Sequence, residues 1–533
     1  MDKKPKVVVV GLDGGTWEQL KPLMNDGVMP HLVSLTENGV SGILHSTLPP
    51  WTPTAWSSFA TGKNPGKHGV FGFTRRNPDG SKAWVSSRSI RASTLWRILS
   101  SQGWRVGLLN VPLTYPPEEV NGFVVSGFPT PASAADITYP KDLLAELEAA
   151  IGSYMVSPRL DDAFLTSKTE ENDVGDQLRE LKEMTRTRGE ALFWLMDNHP
   201  TDFLMVVFVA PDRIQHAFWK WLDPSCPEYA LPEARKARKT VEEIYRMIDE
   251  LIGRLQQRLD ENGSLFVVSD HGFGPQNKLF LTNKWLSQIG LLRYERGKRL
   301  LRAACEKAKL YDNRLLNKVA PGLARLRNDR CINRGKTLAY GSRVDESGIY
   351  FSSPNGSSHP TLAQETIDRL KAVKDPDTGE PVVEDVVRRE DVLTGPFVQQ
   401  APDLLIRWSR GYYGVNFDSI HHHSWVLPVG TANGDHREDG IFAGWGKSIR
   451  KGAHTDGSIV DMAPTILHAL GLAVPDDMDG RTLIEIFTED HNSQNLVTYS
   501  EGSASESTEQ DDVYSAEDAA EIQKRLEALG YVE

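Results

Sequence analysis

The chain has 533 residues, a hydrophobic share of 39% and a formal net charge of −12. Such a length exceeds one average domain and can bury a large core, while the acidic balance excludes a generic binder of nucleic-acid polymers. Three cysteines, Cys226, Cys305 and Cys331, lack Cys-x-x-Cys spacing, which excludes a disulfide scaffold and a thiolate zinc site, and no run reaches the ~18 apolar residues of a membrane helix.

Met1 to Lys6 lead straight into four valines. That run is too short for a signal-peptide core, and no small-residue cleavage site follows. The expectation is a soluble, cytoplasmic protein without a transmembrane segment. Val7–Leu12 reads as a buried strand that ends in Asp13-Gly14-Gly15. A strand that delivers a carboxylate into a Gly-rich turn places it at the carboxyl edge of a sheet, where open α/β sheets bind ligands. The next informative segment is Trp51-Thr52-Pro53-Thr54-Ala55-Trp56, running on to Gly62. Thr52 reads as an N-cap, Pro53 suits the first helical position, and Gly62 ends the helix. A hydroxyl there sits among free N–H groups, a ready anion site. Alone it is only a cap; beside a cation it becomes a nucleophile. Trp51 and Trp56 read as core or pocket wall, and Lys63 and Lys67 as solvated surface groups.

Strands are expected at 105–111 and 203–209, helices at 141–151, 175–197 and 239–258. The strand 203–209 leads into Asp212, with His216 at i+4; on a helix both side chains share one face. Strand 265–269 ends in Ser269-Asp270-His271-Gly272. The stretch 276–400 reads as an insertion or cap. Within it, residues 293–336 hold fourteen Lys/Arg against four Asp/Glu. That is a solvated helical segment, or a lid for an anionic substrate, or a patch docking on anionic lipid or the acidic tail. A helix at 361–373, strands at 402–407 and 440–444 and a helix at 457–470 complete the pattern. Strands alternating with helices predict an α/β fold with a largely parallel central sheet flanked by helices. The polar tail from 488 to 514 reads as disordered. Ser515 then caps a helix to Leu529, with Asp518 at the capping-box position. The predicted organisation is a core in two parts, 1–275 and 401–487, an insertion or cap over 276–400, and an acidic tail over 488–533 with a short helix.

Asp13, Asp212, His216, Asp270 and His271 form an oxygen and imidazole donor set suited to two divalent cations, zinc or manganese. A last histidine is needed, and His436, the cluster His421-His422-His423 and His454 compete for the place. Residue type alone does not rank them. Asp476-Asp477-Met478-Asp479-Gly480 lacks the spacing of a calcium loop and reads as a turn.

In these motifs the chain resembles the alkaline phosphatase superfamily. The branch is that of type I phosphodiesterases and nucleotide pyrophosphatases, closest to its predicted phosphohydrolase/phosphomutase group. The likeness spans about residues 5–487. It rests on Gly11-Leu12-Asp13-Gly14; on Thr52 ten residues before Gly62, followed by Asn64-Pro65-Gly66-Lys67-His68-Gly69; on Asp212-x-x-x-His216; on Ser269-Asp270-His271-Gly272; and on Gly434-Asp435-His436-Arg437. It implies an alkaline-phosphatase-like fold and two divalent cations, most often zinc. Asp13, Asp270 and His271 would hold one, with Thr52 bound to it as nucleophile; Asp212, His216 and His436 would hold the other. His436 outranks its rivals because Gly-x-His before Gly440-Ile441-Phe442-Ala443 resembles the family's last ligand motif. The implied activity is cleavage of a phosphodiester or pyrophosphate-type bond in a small phosphorylated substrate through a phospho-threonine intermediate. The alternatives are a phosphomonoesterase or phosphomutase, or a degenerate member that only binds a phosphorylated ligand. One departure stands out: the family's asparagine 21 residues after the nucleophile is Phe73 here. The sulfatase signature is absent after Thr52.

Overall fold

Apolar runs of valine, leucine and phenylalanine build one ten-stranded sheet. The computed structural model describes residues 4–76, 82–157, 171–295, 297, 332–341, 348–352, 360–415, 424–502 and 513–528. Two units divide the chain: Met1–Gly274 with Thr394–Gln400 and Asn433–Glu533, and Pro275–Leu393 with Ala401–Ala432. Most of the basic segment and all of His421 to His423 lie outside the described residues.

The large sheet belongs to the first unit. Its strands are β1 (Val7–Leu12), β2 (Val40–His45), β3 (Val106–Leu109), β4 (Gly122–Val125), β5 (Thr138–Tyr139), β6 (Phe203–Phe208), β7 (Ser264–Val268), β8 (Asp439–Gly446), β9 (Ala453–His454) and β10 (Gly457–Ser458). They stand in the order β9-β2-β8-β7-β1-β6-β3-β4-β5, with β10 also beside β2. From β7 through β1, β6 and β3 to β4 all neighbours are parallel. β8 is antiparallel to both β7 and β2. Every residue of β1, β6 and β7 is buried. That is why these strands read as continuous apolar runs, since a parallel sheet is covered on both faces. Helix Pro232–Arg258 contributes Ile244, Ile248, Ile252 and Leu255 at helical spacing to the same core. Each such fully buried side chain stabilises the fold by roughly 1.5–3 kcal/mol.

Register positions the site. Leu12 pairs with Phe208 and Gly11 with Val268, so the three central strands stop together. Asp13, the turn to Asp212 and Asp270-His271 therefore leave one edge.

In the second unit, Ala339–Gly341, Gly348–Phe351, Leu404–Trp408 and Val383–Arg388 form an antiparallel sheet in that spatial order, with helix Pro360–Lys371 packed on the last of them. Its Asp375 accepts from Lys278 Nζ at 2.5 Å and Tyr412 Oη at 2.7 Å. Against the cost of desolvation, those bonds hold its carboxyl down at about 2.

Two expectations needed correction. The helix placed at 457–470 is shorter, Met462–Ala469. Ser458 and Asp461 form a capping box around a 3-10 turn ahead of it, and β10 takes the residues before that. The tail is ordered further than composition indicated: Glu489–Gln494 is helical, capped by Thr488. Residues 503–512 lie outside the described residues. Helix Ala516–Ala528 begins as expected. The Asp518 N–H donates to Ser515 Oγ at 3.1 Å and the Ser515 N–H to Asp518 Oδ2 at 3.2 Å. The helix is docked: Ile522 and Leu526 are buried, Arg525 Nη1 donates to the Thr130 carbonyl at 3.0 Å, and Trp84 Nε1 donates to the Ala519 carbonyl at 3.1 Å.

Leu526→Ala deletes a buried side chain, a change that costs about 2–5 kcal/mol. The helix should then be cut by trypsin at Lys524 and Arg525 while the circular dichroism of the remainder is retained. Unchanged protection would show that this packing does not hold the helix.

Candidate metal and nucleophile site

All seven residues expected in the site, Asp13, Thr52, Asp212, His216, Asp270, His271 and His436, are brought together within the first unit. Asp13 leaves β1 into a turn that Gly14 makes with φ of 68°. A Cβ at Gly14 would stand 2.7 Å from the Phe273 ring, so glycine is required by conformation and by space. Thr52 is the first residue of α1 (Thr52–Thr61), and Trp51, not Thr52, is its cap. Thr52 therefore does not spend its oxygen on the helix; Oγ1 lies 3.2 Å from His271 Nε2. Gly62, with φ of 66°, ends the helix. Asp212 and His216 lie in the first two turns of α2 (Ala210–Leu222). His436 was expected in a polar turn. It is instead near the end of a strand, Val426–Arg437, which runs through Pro428. That strand is an edge of its sheet, where proline is tolerated because no ladder partner is lost.

The three carboxylates share one pattern. Asp13 Oδ2 accepts from Trp56 Nε1 at 3.1 Å, Asp270 Oδ1 from the Gly14 N–H at 3.1 Å, and Asp212 Oδ2 from Arg213 Nη1 at 2.8 Å. The other oxygen of each turns inward. Asp13 Oδ1 and Asp270 Oδ2 are buried without a hydrogen-bond partner. Asp212 Oδ1 faces His216 Nε2 at 3.5 Å and His436 Nε2 at 3.3 Å.

The histidines show the matching pattern. Nδ1 of His216, His271 and His436 lies 3.2, 3.1 and 3.0 Å from the carbonyls of Gly434, Gly272 and Pro50. A carbonyl only accepts, so each Nδ1 carries the proton and each Nε2 presents a lone pair. The Nε2 atoms of His216 and His436 face each other at 3.0 Å. His271 Nε2 faces Asp270 Oδ2 at 3.3 Å and Asp13 Oδ1 at 3.7 Å. Lone pairs that converge on carboxylate oxygens repel unless a cation or a carboxyl proton lies among them. Donor atoms of one tetrahedral zinc stand about 3.3 Å apart, and these spacings suit that. Asp13, Asp270 and His271 form one group able to hold a cation; Asp212, His271 and His436, and His216, Asp435 and His436, form two overlapping groups. The imidazoles of His271 and His436 are stacked, centroids 3.6 Å apart, and link the groups.

Electrostatics agree. Burial, then the Asp212 charge, pushes Asp13 up to about 8. Burial, then Asp13, raises Asp270 well above the carboxylate range. Burial opposes ionisation of Asp212 too, but the Arg213 guanidinium against Oδ2 helps hold that carboxyl low. Burial lowers His271 and His436, which keeps both neutral.

Sequence reasoning missed three participants. Asp435 belongs to a group able to hold a cation; Trp56 and Arg213 fix carboxylate oxygens. Lys63 is not solvated: it is buried and pairs with Asp477; Lys67, half-buried, pairs with Asp479 at 2.5 Å. The acidic turn Asp476–Gly480 thus braces the loop after α1. Beside it, His68 Nδ1 accepts the Val70 N–H at 3.2 Å, so its Nε2–H donates to Ser58 at 2.9 Å. Burial pushes His68 down to about 3; it is a neutral bracket and not a base for Ser58.

The model of the family described as type I phosphodiesterase / nucleotide pyrophosphatase matches residues 7–418. The chain belongs to the type I phosphodiesterase / nucleotide pyrophosphatase family. The match takes in every expected site residue except His436, whose place here is a finding of geometry. Among solved structures, phosphonoacetate hydrolase from Sinorhizobium meliloti in complex with phosphonoformate is 17% identical, with 85% of this chain and 91% of that chain covered and a TM-score of 0.50. Human ectonucleotide pyrophosphatase / phosphodiesterase 5 is 14% identical, with 91% and 100% covered and a TM-score of 0.48. The fold is alkaline-phosphatase-like. No curated protein matches the chain.

In protein dialysed against EDTA, thermal stability should fall between pH 6.5 and 9. Asp13 and Asp270 have raised values in the fold, so their contribution is full below the ordinary carboxylate range and is lost as pH rises through about 8 for Asp13. His68, depressed to about 3, loses its contribution only as pH falls below about 6.5. A melting temperature that rises across pH 6.5–9 would contradict the assignment.

Proposed function

We propose that this chain is a two-cation phosphoesterase that cleaves a phosphodiester or pyrophosphate-type bond through a phospho-threonine intermediate. The observation that carries the reading is the convergence of three Nε2 lone pairs and three carboxylate oxygens beside the Thr52 hydroxyl. Asp13, Asp270 and His271 would hold one cation together with Thr52; Asp212, His216 and His436 would hold the other. Mixed carboxylate and imidazole donors suit zinc, and manganese next. When bound, the cations supply Lewis-acid stabilisation of phosphoryl oxygens and ease ionisation of a hydroxyl.

The chain's own groups do the rest. Thr52 Oγ1 forms a bond to phosphorus as the bond to the leaving oxygen breaks; water then releases the phosphate from Thr52. At the first position of α1, Thr52 lies among N–H groups without helical partners, and these favour the negative charge of the phosphoryl group. His271, with its Nδ1–H held by the Gly272 carbonyl, keeps Nε2 directed at Oγ1. The family implies a small phosphorylated substrate. Phe73, standing where the family's asparagine would contact a non-bridging oxygen, is buried against Trp51 and Phe128. That apolar wall favours keeping a phosphomonoester or phosphomutase reaction as second reading. Turnover of an aryl phosphodiester against an aryl phosphomonoester, with metal analysis of the same sample, decides between them.

Thr52→Ala should lose at least ~10³-fold in rate while still binding metal, as expected for loss of a nucleophile. Trapping a phosphorylated intermediate on Thr54 or Ser57 instead would refute the assignment.

His436→Ala should remove one of two bound cations and most activity, since Asp212 and His216 leave that cation underligated. Substitutions in His421 to His423 should leave metal content unchanged. The reverse pattern, read by metal analysis, would overturn the ligand set.

A further inference from the structure

Arg213 follows Asp212 directly, yet its side chain is 3% exposed. A guanidinium is rarely buried to that degree without a partner that rewards its desolvation. Its partner is Asp212: Nη1 donates to Oδ2 at 2.8 Å. Its flat face lies over the Phe128 ring, Cζ 4.8 Å from the centroid, and Phe128 packs edge-on against Phe73 at 6.0 Å. The guanidinium thus contacts both an aromatic ring and the carboxylate.

Asp212 has two chemically equal oxygens. Only Oδ1 faces His216 and His436. A carboxylate free to rotate would present either oxygen, or both. Arg213 Nη1 occupies Oδ2 and so leaves Oδ1 committed to His216 and His436.

We propose that Arg213 is a positioning residue for the Asp212, His216 and His436 site: it commits Asp212 to binding a cation through Oδ1 alone and offsets part of the charge of that carboxylate. The inference rests on the two-cation reading above. The residue touches no reacting atom in this role. Its effect runs through Asp212, so it should weaken one cation site and spare the Asp13, Asp270 and His271 site, whose oxygens are fixed by Trp56 and Gly14 instead.

The test is chelator competition with zinc on the full chain, resolving a tight and a weak equivalent, in wild type, Arg213→Gln, Arg213→Lys and Phe128→Leu. Removing a partner of a metal ligand weakens affinity by about 10- to 100-fold. Arg213→Gln should weaken one equivalent to that extent and leave the other within twofold. Arg213→Lys, which keeps the charge and loses the planar fork, should be intermediate. Phe128→Leu, which frees the guanidinium face, should show a smaller loss at the same equivalent. These results support the role, as does a fall in kcat with KM retained. Should Arg213→Gln not fold, Arg213→Lys and Phe128→Leu still decide. Wild type that binds fewer than two equivalents refutes the two-cation reading itself. Wild type that binds two, with both unaltered in every variant that folds, refutes the role of Arg213 alone; equal weakening of both equivalents also refutes it, because it indicates general loosening.

Discussion

Three carboxylates within one water-poor edge of the sheet are the constraint on which the rest depends. Asp13, Asp212 and Asp270 are all buried. Two like charges a few ångströms apart repel by several kcal/mol even at an effective dielectric near 20. The chain answers in two ways: burial raises Asp13 and Asp270 toward the protonated form, while Arg213 helps keep Asp212 ionised. Such an arrangement opposes folding locally. It persists because the strands that carry it are buried from end to end, and their apolar contacts supply the stability that the site withdraws. Local strain of this kind, held by a rigid surround, is what functional sites require.

The donors that fix the carboxylates tie the site together. Trp56 reaches Asp13 from α1, the helix that also presents Thr52. The Gly14 N–H reaches Asp270 from the turn that also presents Asp13. Arg213 reaches Asp212 from the same helix as His216. Every fixing group thus rides on an element that carries another site residue. A displacement of one element moves a ligand and the brace of a different ligand together, so tolerance to small changes is low. The histidines are treated differently, each by a backbone carbonyl, which cannot be lost by side-chain substitution.

The strand–carboxylate junctions were legible in the sequence because a doubly covered parallel strand leaves a continuous apolar run, and Asp13, Asp212 and Asp270 each break such a run. Choosing among late histidines was not legible from residue type; the resemblance favoured His436, and the fold brings it beside Asp212 and His271. Pro428 concealed the strand that carries His436, because a proline argues against a strand unless the strand is known to be an edge. Arg213 and Trp56 left no signal. An Arg beside an Asp is ordinary on a surface, and an indole among apolar residues reads as core. Only three-dimensional neighbours distinguish them. Thr52 was placed one position early because cap and first-turn residues share the same local pattern.

That one position changes the chemistry. A threonine at the cap accepts an N–H bond from its own helix, and its oxygen is then partly committed and oriented along the axis. At the first helical position the cap belongs to Trp51, and the hydroxyl turns outward to His271. The first N–H groups of a helix have no intrahelical partner and favour an approaching anion. Pro53, at the second position, removes one of those donors and fixes φ there, which stiffens the backbone next to the hydroxyl. The helix is buried along its entire length and ends in a left-handed glycine, so it has little freedom to slide. On the proposed reading, nucleophile and anion-binding end are thereby a single rigid piece, and the approach of the phosphoryl group is set by where α1 is packed rather than by rotation of a flexible side chain.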